Sequence, residues 1–253
     1  MNQIQASLAE SPSRLFSSAL EVGLIEVNRA EGGIAEALGR LIDLSDSIAL
    51  AEALRALARR SPKMEAQPVG DTDAVAHFMN VRGEILAAVA SSFAADDTAP
   101  FLLPRADRDT LHDPQTGYSP FQRFYQLHQS EMERQIAGLR HFLRQTLAAR
   151  SPRLAQLASL DKVVAEPLAE HTRRLLAGLP RGLGKRFAAL RDDYLQSCPE
   201  AEVGDVDRWL EPGGWLQRFI TEMQNLLLAE LDFRLLPALG LLEAMEEEES
   251  PKR

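Results

Sequence analysis

The chain has 253 residues, a net charge of −9, 45% hydrophobic and 6% aromatic residues, enough apolar material for the packed core of one large domain or two modest ones. One cysteine, Cys198, excludes an intramolecular disulfide. No apolar run approaches the ~20 residues that a membrane-spanning helix needs. The start, "MNQIQASLAESPS", has no basic segment followed by an apolar core, which predicts no secretory signal. A soluble, cytoplasmic protein without membrane insertion is the expectation.

The first helix is predicted near Pro12 and Ser13, with Leu15, Phe16, Leu20 and Leu24 on one stripe. "EGG" at 31–33 breaks it. Ile34, Leu38, Leu41 and Ile42, then Ile48, Leu50, Leu54 and Leu57, carry further helix to Arg60. "SPKMEAQPVGDTD", 61–73, reads as a polar linker. Asp73 is placed as the N-cap of a helix through Phe78, Ile85, Val89 and Phe93. Residues 96–120, with Pro100, Pro104, Pro114 and Gly117, read as a proline-rich connector. Ser119 and Pro120 are placed at the start of the longest helix, whose seam runs Tyr125, Met132, Ile136, Leu139, Leu143 and Thr146 or Leu147. Ser151 and Pro152 start the next, with a stripe of Leu154, Leu157, Val164, Leu168, His171 and Leu175 assigned to the core. Pro167 is expected to kink or split it. Leu183, Phe187, Leu190 and Tyr194 predict a shorter helix. A last one runs from Trp215 to about Leu236, where Pro237 ends or kinks it. The acidic tail is expected to be disordered. With no period-two pattern, the fold class is all-α: an antiparallel bundle of long, kinked helices. Its expected organisation is an N-terminal helical region (1–95), the connector (96–120), a larger C-terminal helical domain (121–242) and the tail (243–253).

"GLPRGLGKRF", 178–187, raises the question of a phosphate-binding loop. The pattern G-x-x-x-x-G-K-[ST] would need glycine where Leu179 stands and a hydroxyl where Arg186 stands, after a strand rather than a helix. The expectation is instead a turn: Gly178 capping one helix in a left-handed conformation, with Pro180 preventing its continuation. Arg181, Lys185 and Arg186 at the next helix start read as a weak anion-attracting patch whose anion is a carboxylate of a partner or of the tail.

No metal or catalytic set is predicted. Three residues before His77, His112, His128, His141 and His171 stand Ala74, Asp109, Tyr125, Gly138 and Leu168, so no repeated Glu-x-x-His exists for a di-iron site. His171 is read as a packing histidine. Cys198 has no motif around it, and G-x-S-x-G is absent. No cofactor is expected. The charge is uneven, however. Residues 121–190 hold 12 Lys and Arg against 5 Asp and Glu, a net of +7 that leaves −16 for the rest. Arg140, Arg144, Arg173, Arg174, Arg181, Lys185 and Arg186 are the candidate anion- or partner-binding residues. Without interleaved aromatics they do not form a single-strand platform. The two long helices with three-four seams, together with Trp209 and Trp215 beside a "PGG" turn, are expected to expose more apolar surface than a monomer needs.

"PFQRFYQLHQSEMERQIAGLRHFLRQTLAARSPRLAQLASLDKVVAEPLAEHTRRLLAGLP", "KRF" and "MQNLLLAELDFRLLPALGLLEA", with "ALGRLIDLSDSIALAEAL" before them, resemble domain-of-unknown-function family 3348. These are packing motifs, and no catalytic residue comes with them. The resemblance implies a bacterial cytoplasmic protein. It also implies a gene neighbourhood of MotA/TolQ/ExbB-type proton channels and OmpA-like proteins, hence an accessory role in an envelope-spanning complex. The leading expectation is a helical interaction or scaffold protein whose partner is another helical protein or a second copy. A nucleic-acid or anion-binding protein using 121–190 is the first alternative, and an enzyme of unrecognised type the second.

Overall fold

The computed structural model describes residues 74–94, 96–107, 109–197 and 205–249. The helices expected before residue 73, the linker, the Asp73 cap, Cys198 and the end of the tail lie outside the described residues. The rest is all-α: α1 (Ala74–Phe93), α2 (Asp109–His112), α3 (Pro114–Arg150), α4 (Pro152–Leu176), α5 (Gly178–Ser197), α6 (Val206–Leu210) and α7 (Trp215–Glu249). No strand occurs among the described residues. None of the described helices is long and apolar enough to cross a membrane.

Several helix boundaries differ from the sequence expectation. α3 starts six residues early because "DPQT" carries the same signal as "SP". The Asp113 carboxylate accepts from the amides of Gln115 (3.0 Å) and Thr116 (3.4 Å) and from the Thr116 hydroxyl (2.7 Å). Pro114 then occupies the first helical position, where its missing N–H costs nothing. The Thr116 bond, above all, holds the Asp113 carboxyl below its usual range. Pro120 is left inside the helix. α7 likewise runs through Pro237 to Glu249, so the acidic residues 243–249 are helical rather than a disordered tail. An interior proline costs ~3 kcal/mol, but Ala238, Leu239, Leu241, Leu242 and Met245 are all buried beyond it. A buried Leu contributes roughly 1.5–3 kcal/mol, so continuation wins. α4 also continues past Pro167 without a break. The Ser151 cap was placed correctly: its hydroxyl accepts from the Leu154 amide at 3.2 Å.

The chain divides into two compact units. The first holds Arg82–Gln135 and Ala177–Leu235. Its core is an aromatic cluster in which Phe187 packs on Phe219 (5.1 Å), Trp215 (5.2 Å), Tyr118 (5.8 Å) and Phe121 (5.8 Å). Here α5 and α7 run antiparallel, since Tyr194 meets Trp215 while Phe187 meets Phe219 and Arg186 meets Glu222. The second unit holds 74–81, 136–176 and the end of α7. There a single residue, Ser151, joins α3 to α4, and both Arg140 and Arg144 reach Asp161, as an antiparallel hairpin requires.

Candidate functional site

The "GLPRGLGKRF" segment is neither a phosphate loop nor a turn. Only Ala177 separates α4 from α5, and Gly178 opens α5 rather than capping α4. Gly178 is not left-handed; among the described glycines only Gly213 has positive φ. Pro180 falls in the first turn, where a helix has no use for its N–H. The Tyr118 hydroxyl donates to the Pro180 carbonyl, and burial pushes that phenol well above its usual range. A Cβ on Gly184 would lie 3.0 Å from the Tyr118 ring. The glycine-rich stretch is therefore a seat for a buried tyrosine.

The seven candidate cations fall in both units. In the first unit, Arg186 forms a two-pronged pair with Glu222, at 2.8 and 2.7 Å, which raises the guanidinium and lowers the carboxyl. Arg181 and Lys185 are exposed, with no carboxylate partner among the described residues. In the second unit, Arg140 and Arg144 hold the two oxygens of Asp161 at 2.6 and 3.1 Å, on the core side of the hairpin. Arg173 and Arg174 pair with Glu170, and Arg173 also with Glu166, along the exposed face of α4. Five of the seven are thus matched by carboxylates of this chain. The tail does find cationic company, but elsewhere: Glu248 accepts from Ser151 (3.1 Å) and Arg153 (3.3 Å).

Two further polar clusters were not singled out in the sequence. In the first unit the fully buried Glu230 accepts from the Tyr125 hydroxyl (2.7 Å), Gln129 Nε2 (3.0 Å) and Arg234 Nε (2.8 Å). Burial and the facing Glu230 charge push the Tyr125 phenol far up. Each of these three groups donates to the same carboxylate, which makes the cluster a fixed polar knot. His128 is buried among Phe124 (4.8 Å), Phe101 (4.9 Å) and Phe93 (6.2 Å), with Nε2 unpartnered. Desolvation lowers its pKa to about 4. No group of three or more His, Cys, Asp or Glu suited to a metal occurs among the described residues.

The two tryptophans themselves are buried, although Leu210 beside Trp209 is 45% exposed. Trp209 is 0% and Trp215 6% exposed. Exposed apolar side chains also lie on α4. The helix packs through Leu154, Ala158 and Leu176, all buried. Its stripe of Leu157, Leu160, Val164, Leu168 and Leu175 is turned to the side of that face. The first three are half-buried, while Leu168 is 38% and Leu175 44% exposed. At 100° per residue these five lie within one quadrant of the helix. Sequence periodicity shows such a stripe but not how much of it the rest of the chain covers.

No curated protein and no solved structure matches the chain. Residues 1–247 match the family described as Protein of unknown function (DUF3348). The packing motifs quoted above, among them the α7 segment that carries Glu230 and Arg234, lie inside the matched range. The chain belongs to that family.

Proposed function

We infer that this chain is a helical interaction protein that docks one further amphipathic helix, from another helical protein or from a second copy, along the side of α4. The supporting observation is the stripe that ends in the exposed Leu168 and Leu175. Its spacing of three, four, four and seven residues suits helix-on-helix packing. The Glu166, Glu170, Arg173 and Arg174 pairs occupy the solvent face of the same helix. Pairs so exposed add little to stability but limit where an apolar partner can sit. The basic segment favours this over nucleic acid, because most of its candidate cations already face carboxylates. An accessory role in a bacterial envelope complex, with the chain itself in the cytoplasm, is the wider setting we propose from the family resemblance.

The test is the double substitution Leu168→Glu and Leu175→Glu. Helicity and melting temperature should stay within the range of ordinary surface changes, ±0.5 kcal/mol. Self-association by sedimentation, or affinity for a purified partner, should weaken at least tenfold, since each Leu burial contributes roughly 1.5–3 kcal/mol. Unchanged association by both measures would sink the proposal.

A further inference from the structure

In the first unit, between α1 and α2, the chain runs without helix through 96–107. Its hydrogen bonds are local and sit at its two ends. The Ala99 amide donates to the Asp96 carbonyl (2.9 Å), the Thr98 amide to the Asp96 carboxylate (2.9 Å) and the Asp107 amide to the Thr110 hydroxyl (3.0 Å). Among the described residues, no hydrogen bond involves 100–106. Packing of side chains therefore holds this stretch in place: Phe101, Leu103, Pro104 and Ala106 are half-buried, while Leu102 among them is exposed.

Phe101 rests on His128. Their ring centroids are 4.9 Å apart and the rings nearly perpendicular, and Phe124 (4.8 Å) and Phe93 (6.2 Å) complete an aromatic box. The histidine is 3% exposed, and its Nε2 is shut off from solvent without a hydrogen-bond partner. A neutral ring suits such a box. A second proton would add a charge where no water reaches it, and burial is the one cause that lowers the pKa to about 4. The charged groups of the elements around it are Glu84 on α1, Asp96, Asp97, Arg105 and Asp107 on the loop, Arg123, Glu131 and Glu133 on α3, and Glu230, Asp232 and Arg234 on α7. None of them acts on the ring. The nearest carboxylate in the fold of α3 onto α7, Glu230, is taken by Tyr125, Gln129 and Arg234.

We propose that 96–107 is a strap latched by His128: protonation of the ring lifts Phe101 out of the box, and the strap opens while α1 and α3 stay helical. The strap is the wall that yields because its backbone makes no hydrogen bond from 100 to 106, whereas Phe93 and Phe124 belong to helices. His128 titrates at about 4 with the strap closed, and an imidazole open to water titrates near 6.5. Between those values the open form binds more protons than the closed one, so opening becomes easier as pH falls. From pH 7.5 to pH 5 the opening equilibrium rises about thirtyfold.

Proteolysis of the full chain reads this equilibrium, because cleavage inside the segment requires it to leave the surface. Cleavage of 96–107 by proteinase K is measured at pH 7.5 and at pH 5, and each rate is divided by that of a free peptide of the same sequence. The corrected rate should rise at least tenfold in the unaltered protein, with 121–147 uncut. Phe101→Ala, which removes the ring from the strap, should be cleaved fast at both pH values. His128→Phe and His128→Leu should be cleaved slowly at both. The rise should therefore fall below about threefold in all three variants, circular dichroism showing which of them keep their helicity. A smaller rise than tenfold in the unaltered protein, a rise above threefold in any variant that keeps its helicity, or cleavage of α3 at the same rate as the strap would overturn the latch.

Discussion

Glu230 and His128 are both buried polar side chains, and they should respond to opposite tests. Glu230 is satisfied by Tyr125, Gln129 and Arg234. Removing one donor leaves the others, so Tyr125→Phe should cost about 1.5–3 kcal/mol, the range for a hydrogen bond to a charged group. Glu230→Ala strands the Arg234 guanidinium, which is only 8% exposed, and should cost about 3–5 kcal/mol. Urea denaturation of the two variants checks the order; equal costs would mean that the carboxylate is not the hub. His128 is the reverse case, since burial lowers its pKa to about 4 while an unfolded imidazole titrates near 6.5. Between those values the unfolded chain binds more protons than the folded one. Stability therefore falls as pH falls through that window, by at most about 1.4 kcal/mol per pH unit from this group. Subtracting the profile of His128→Phe from that of the unaltered protein isolates the effect. A flat difference between pH 6.5 and 4 would show that the imidazole is hydrated.

Among the elements, α5 makes the sharpest contrast between expectation and structure. A Gly-Leu-Pro sequence carries all the local signals of a helix stop, and the residues that overrule them are distant: Tyr118 lies 62 positions before the Pro180 carbonyl it bonds. Local pattern cannot show that contact. The seam of α3 from Tyr125 to Leu147 was legible, because its residues lie on one face and are all buried: Tyr125, Met132, Ile136, Leu139, Leu143 and Leu147. The ends of α3 and α7 were not, because a proline inside a helix looks like a boundary until the burial beyond it is known. Of the candidate cations the sequence supplied the positions but not their matching carboxylates, which come from elsewhere in the chain for Asp161 and Glu222. The Tyr118 seat can be tested with two alanines of opposite sign. Gly184→Ala places a methyl 3.0 Å from a ring whose hydroxyl is already anchored, and should cost about 1–3 kcal/mol. Gly138→Ala, exposed in α3 with nothing within 4 Å of the new methyl, should gain ~0.5–1 kcal/mol from helix propensity. Thermal melts of both read the difference, and a neutral Gly184→Ala would mean the ring can move aside.

At the scale of the molecule, the account rests on the side of α4. The buried groups with displaced pKa values are held by structural partners or by phenylalanines, and those partners explain the displacement without a substrate. Leu168 and Leu175 on α4 have no such internal account, and the docking proposal rests on them. The most direct test is a photo-crosslinking residue placed at position 168, and separately at position 166, in living cells that make the full chain. Glu166 lies on the solvent face of the same helix, with its side chain 85% exposed. Docking along the stripe predicts a discrete adduct from position 168 that position 166 does not give, and its loss when Leu175→Glu is added. No adduct from position 168, or the same adducts from both positions, would contradict the account.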